Sequence, residues 1–234
     1  MAADRHHSRP GQGRRFQVPD PHVSYSGPRE DGTGIVPAAQ ANSTVPTHAP
    51  RWIPVAGGLL AASRWRAAVA VADLWWWPTP VTRGQARSAG LDIEAGDDDL
   101  PVTGLTRPQA AELAAALGAR LPTSPEWEWM AGGGQRRYPW GNAEPTGRHA
   151  NLRGLGPCRA TAVGSYPDGA SPDGLVDVAG NVWEWTATAV PGCGAVVRGG
   201  SYQSLTLYAR CAFSNEIPDS VQSPGIGLRM VRTQ

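Results

Sequence analysis

The sequence predicts a small α+β fold in which short strands and short helices are joined by long packed loops. Three observations carry that expectation. The chain of 234 residues contains 29 Gly and 22 Pro, which favour turns and irregular backbone over a long-helix bundle. Hydrophobic residues make up 41% and charged residues only 18%, enough apolar matter for a packed core. Ten Trp cluster along the chain and supply the buried area that short strands lack.

Residues 1–50 read as a disordered tail. They are rich in Pro, Gly, Ser, His and Arg, and their apolar residues are isolated, so burial could not offset chain entropy. His6, His7, His22 and His48 lie there, on a segment read as solvated. Residues 51–234 are expected to form the ordered domain. Arg51 to Val55 reads as a short strand turning at Gly57-Gly58, and Val69, Val71 and Leu74 to Trp77 as a second strand. Thr82 to Gln85 has the form of a capping box, and Gly90 ends the helix it opens. Leu91 to Leu100 is an acidic loop.

The clearest helix runs from Thr106 to Gly118, with Thr106 and Gln109 as its capping box. Ala110, Leu113, Ala114 and Leu117 share one face. A third helix starts at Ser124-Pro125-Glu126 and stops in Gly132 to Gly134. Beyond it, loops with short strands are expected.

Charge and cysteine content exclude several functions. Net charge is +1, without the basic stripe that nucleic-acid binding needs. Met1 to Arg15 has no apolar stretch behind its basic residues, so it does not read as a secretory signal. The apolar region Val55 to Leu74 is broken by Arg64 and Arg66, so no membrane span is expected. A cytoplasmic protein is the expectation. Cys158, Cys193 and Cys211 share no CxxC spacing, which argues against a disulfide framework or a zinc knuckle.

Six segments in order carry a pattern. They are Pro80-Val81-Thr82; Ala119 to Thr123 running into Glu126 to Trp129; Tyr138-Pro139-Trp140-Gly141-Asn142; Asp177 to Trp185; Arg198-Gly199-Gly200-Ser201-Tyr202; and Gly225-Ile226-Gly227-Leu228-Arg229. Gly180, Gly199 and Gly200 stand where a side chain would block close backbone approach or a positive φ. Glu184, between Trp183 and Trp185, needs a partner: backbone N–H groups, an arginine or a cation. Together the segments resemble the formylglycine-generating enzyme (sulfatase-modifying factor) family. The resemblance implies a C-type-lectin-like fold over residues 51–234, with a small twisted sheet, a few helices and long loops.

That resemblance also sets the chemistry to be tested. The family's oxidases hold Cu(I) on two cysteines after the Arg-Gly-Gly-Ser stretch, because soft thiolates suit a soft cation. Ser204 stands at the position of the first cysteine, and the shorter loop has no counterpart of the second. The chain is therefore read as a degenerate member that lacks the catalytic cysteine pair. The resemblance places Cys211 at a structural cysteine whose partner position is Ala131 here, which implies a buried free thiol. A branch using iron on three histidines finds only His149 outside the tail. Copper and iron are not expected as cofactors.

Calcium is expected instead, as a structural ion. The resemblance implies ligands from the carboxylates of Asp177 and Glu184 and the carbonyls of Gly180 and Val182. The alternative for Glu184 is a salt bridge or a backbone cap. The family's second calcium site is expected to be lost, because Asn151-Leu152 stands without the insertion that bears its other carboxylate. The function expected is a non-catalytic module that binds a protein, peptide or small-molecule ligand. Its face would comprise Tyr202, Gln203, Ser204, Leu205, Leu207 and Tyr208, about half of them packing inward. The alternative is a metal-dependent oxidoreductase acting on a peptide or small-molecule thiol through a non-standard site.

Overall fold

The computed structural model describes residues 51–64, 66–192 and 194–233; the tail and Cys193 lie outside them. Strands β1 (Ile53–Val55), β2 (Gly58–Leu60), β3 (Val69–Val71) and β4 (Leu74–Trp76) open the fold, followed by helices α1 (Arg83–Ser88), α2 (Arg107–Ala116) and α3 (Ser124–Gly132). A long stretch of turns leads to β5 (Trp183–Val190), β6 (Gly194–Arg198), β7 (Ser214–Pro218), β8 (Ile226–Leu228) and β9 (Val231–Thr233).

All three helices start as their sequences dictate. Thr82 and Thr106 each accept a backbone N–H three residues on, and the glutamine there reaches back to the cap. Thr123 and Glu126 form a third such box, which the Ser-Pro-Glu start had obscured. Gly118 has φ +73° just beyond α2, and Gly133, the α3 C-cap, has φ +60°, a conformation costly for residues with a Cβ. On α2 the buried side chains are Ala110, Leu113 and Ala114, the face expected from the helical period.

The stretch expected as one strand from Val69 to Trp77 is two. β3 pairs antiparallel with β2, whereas β4 lies between β1 and β9. The break falls at Asp73, whose carboxylate accepts the Gly57 N–H at 2.6 Å and so ties the two turns together. A four-stranded sheet in the order β7-β6-β5-β8 forms the other layer, antiparallel except for β5 with β8. Trp185 projects from β5 into the cluster with the α2 face, while Trp76 and Trp127 anchor a second cluster. Trp140 and Trp183 are only half buried. Among the described residues no helix is long and apolar enough to cross a membrane.

Candidate functional site

The sheet and α3 meet at one buried hub. Glu184 on β5 and Arg229, just after β8, are both fully buried, and parallel pairing sets Glu184 opposite Gly227. Arg229 Nη2 donates to Glu184 Oε1 at 2.8 Å and Nε lies 3.0 and 3.2 Å from the two oxygens. Trp127 Nε1 on α3 donates to Glu184 Oε2 at 2.6 Å. The remaining guanidinium donors reach the carbonyls of Trp77, Pro78 and Val176 at 3.3, 2.8 and 2.8 Å. Of the partners open to Glu184, the structure supplies the arginine, and an indole outside that set joins it.

That geometry is the salt bridge that stood as the alternative to calcium at Glu184. Both carboxylate oxygens already accept from Arg229 or Trp127. Asp177 differs. Its Oδ2 accepts the Gly164 N–H at 2.5 Å, while Oδ1 is buried with no partner. Gly180 and Val182 lie on the same loop, Gly180 at φ +77° and Val182 buried. Asp177 is therefore the one acidic side chain of the expected set with an oxygen to offer. Asn151 Oδ1 is likewise buried and unpartnered, while its Nδ2 donates to Asn181 Oδ1 at 3.2 Å. Asn181, at φ +61°, is a structural residue that the motif reading passed over.

Burial pushes the Asp177 carboxyl up to about 6 from 3.8, opposed by the Gly164 N–H and by Arg229, with Glu184 adding a smaller upward push. A folded-state pKa above the unfolded one means that the stabilising contribution is complete below 3.8 and is lost as pH rises through about 6. Asp177→Asn is accordingly expected to raise stability at neutral pH by up to about 3 kcal/mol. It should also flatten the pH–stability curve between 3.8 and about 6, read by urea denaturation. An unchanged curve would show that the ionised carboxylate is already compensated.

The loop after β6 is held from beneath. Arg198 pairs with Glu128 at 2.9 Å and donates to the carbonyls of Cys211 and Phe213. Tyr202 N–H donates to Asn181 O at 3.1 Å, and Arg153 N–H to Ser204 O at 3.0 Å. Ser204 is buried, its Oγ accepting the Ser201 N–H at 2.9 Å and lying 3.3 Å from Ser201 Oγ. Tyr202 is buried too, whereas Gln203, Leu205 and Leu207 face outward and Tyr208 is half buried. Leu205 and Leu207 are 54% and 46% exposed and, with Leu59, are the exposed large hydrophobics of the described residues. Tyr208 packs edge-on against Phe213 at 4.9 Å and near Trp183 at 6.2 Å. Phe213 is absent from the face read in the sequence; its aromatic character three residues after Arg210 was the available signal.

The two described thiols differ in surroundings. Cys211 is buried under α3, its Sγ 3.4 Å from Ala131 O, which agrees with the implied pairing position. Burial pushes its thiol up to about 12, so it carries almost no thiolate at neutral pH. Cys158 is exposed. His149 is stacked on Trp140 at 4.8 Å, in a different cluster from Cys211. A maleimide is expected to label Cys158 within the native state and Cys211 only after unfolding. Mass spectrometry of the two peptides reads the outcome, and prompt native labelling of Cys211 would refute its burial.

Short twisted sheets, three capped helices and a long ordered loop region define a C-type-lectin-like α+β domain. The sulfatase-modifying factor enzyme 1-like domain model matches residues 38–234, and the chain belongs to that family. It is 44% identical over 110 residues to a hercynine oxygenase of Mycobacterium tuberculosis, covering 45% of this chain and 26% of that protein. It is 38% identical over 125 residues to a formylglycine-generating enzyme of Thermomonospora curvata, covering 48% of this chain and 41% of that one. The chain thus spans about a quarter of the length of the oxygenase and less than half of the other. The solved structure of CarF superposes with a TM-score of 0.65 at 22% identity, over 79% of this chain and 98% of CarF; at that identity it speaks to the fold.

Proposed function

We propose that this chain acts as a ligand- or partner-binding module of the formylglycine-generating-enzyme-like family, without copper oxidase chemistry. It would engage a protein, peptide or small molecule through the surface around Leu205, Leu207 and Tyr208. The observation that carries this reading is Ser204. The family resemblance sets its hydroxyl at the position of the first active cysteine, and that hydroxyl is turned into a buried hydrogen bond with Ser201 N–H. Cu(I) asks for soft thiolates, and the nearest described thiol in sequence, Cys211, is packed against Ala131 and held protonated.

A metal-dependent oxidoreductase acting on a thiol is the second reading, favoured by the identity to the oxygenase. It needs ligands from elsewhere, because no group of three or more His, Cys, Asp or Glu suited to a metal exists among the described residues. A structural calcium ion, if held by the Asp177 to Glu184 loop, would draw its side-chain ligand from Asp177 alone, and the ion would suppress the pH dependence assigned to that carboxylate.

A photo-crosslinking residue at Leu207 tests the binding reading in cells. It is expected to trap a discrete product that the same residue at Leu59, equally apolar and 67% exposed, does not trap. In parallel, the purified chain supplied with Cu(I), oxygen and a thiol peptide should form no aldehyde. Aldehyde formation, or identical crosslinking at the two positions, overturns the proposal.

A further inference from the structure

The two segments that build the face after β6 hold positive charge without any negative charge to match. Residues 150–167 and 201–215 contain Arg153, Arg159 and Arg210 and no Asp or Glu, in a chain whose net charge is only +1. The segments are bonded to each other. Arg153 N–H donates to Ser204 O at 3.0 Å. Asn181 clamps both, its carbonyl accepting Tyr202 N–H at 3.1 Å and its Oδ1 accepting Thr161 N–H at 2.9 Å.

These arginines go unanswered within the protein. Arg87, Arg107, Arg120, Arg137 and Arg148 each meet an Asp or Glu. None of the other three enters an ion pair or a side-chain hydrogen bond among the described residues. Arg153 and Arg159 are exposed, and Arg210 is half buried. Arg210 N–H donates to Leu207 O at 3.4 Å, a turn of the kind that sets side chains three residues apart on one side. Leu205 and Leu207 stand exposed in the same loop.

Two kinds of group on one face ask for two kinds of group in the partner. A guanidinium takes a carboxylate in a two-point fork, and an exposed leucine takes an apolar side chain. A partner without acidic groups would strip water from the arginines and give nothing back. Given that the loop face is a binding surface, we infer that it receives an acidic peptide segment of a partner protein. Its carboxylates meet Arg153, Arg159 and Arg210, and its apolar side chains cover Leu205 and Leu207.

Random peptides displayed on phage and selected on the full chain give an unbiased probe. Enriched sequences are expected to set Asp or Glu beside Leu, Ile, Val or Phe. Synthetic copies should bind Arg153→Ala/Arg159→Ala roughly ten-fold more weakly, both changes lying on the exposed surface. Raising the salt should weaken them as well. Arg210→Gln should deepen the loss; should it fail to fold, the double variant still decides. Phosphatidylserine vesicles control for a mere anionic surface, and the chain should not sediment with them. Neutral or basic enriched sequences, no enrichment, affinity indifferent to the double variant, or arginine-dependent sedimentation with the vesicles overturns the inference. A Leu207 crosslink that persists beside any of those results keeps the binding reading and removes only the acidic partner, whereas loss of the crosslink in the parent chain removes both.

Discussion

Arg229→Met is expected to destabilise the protein by about 3–5 kcal/mol, the cost of leaving a buried carboxylate without its cation. The Arg229 side chain ties β5 to the segment after β4 and to the loop before β5. Its guanidinium meets Glu184 on β5 and the carbonyls of Trp77, Pro78 and Val176, so its loss also removes the donor to three part-buried carbonyls, of which Pro78 O keeps the Val176 N–H. Trp127 Nε1 then faces the charge of Glu184 alone. Glu184→Gln should cost less than Arg229→Met, because the amide oxygen still accepts from the guanidinium or the indole. The double variant Glu184→Gln/Arg229→Met is expected to be more stable than Arg229→Met by itself, since no uncompensated carboxylate remains. Arg229→Lys restores the charge but not the fork, and should recover only part of the loss. Urea denaturation of the four variants gives the cycle. Additive costs would mean that the pair is not coupled, and the hub would then be a coincidence of packing.

Why this hub escaped a reading of the sequence is itself physical. Capping boxes are local, three residues from donor to acceptor, so Thr82 with Gln85 and Thr106 with Gln109 were legible at sight, and the structure shows both. The glycines of the motifs were legible for the same reason, since a positive φ belongs to one residue: Gly180, Gly199 and Gly200 have φ of +77°, +94° and +78°. The partner of Glu184 lies 45 residues away, and only the parallel pairing of β5 with β8 brings it close. From sequence, an arginine and a cation were equally admissible beside that carboxylate. The split of the Val69 to Trp77 stretch is a similar case, because hydrophobic periodicity continues through Asp73 and does not register its bond to Gly57. On the loop after β6, alternation told that half of the side chains turn inward. Which half followed only from the bonds of Tyr202 to Asn181 and of Ser204 to Ser201.

Gly180→Ala should be nearly as damaging, at more than about 3 kcal/mol, from two causes that add. At φ +77° an L side chain is strained by about 1–2 kcal/mol. A Cβ there would also sit 2.4 Å from Asn151 O and 3.0 Å from its carbonyl carbon, and backbone cannot swing aside as a flexible side chain would. That carbonyl accepts the Asn181 N–H at 2.9 Å, so moving it breaks a buried bond. Gly174→Ala separates the two causes: its φ is +87°, yet no heavy atom lies within 4 Å of the added carbon. Gly174→Ala should therefore show the strain alone, about 1–2 kcal/mol, and equal losses at the two positions would remove the case for close approach. The damage at Gly180 should also travel. Asn181 O is the acceptor that holds Tyr202 N–H, so a displaced Asn181 releases the start of the segment bearing Leu205 and Leu207. Below its melting temperature, Gly180→Ala is expected to lose the Leu207 crosslink, while Gly174→Ala keeps it.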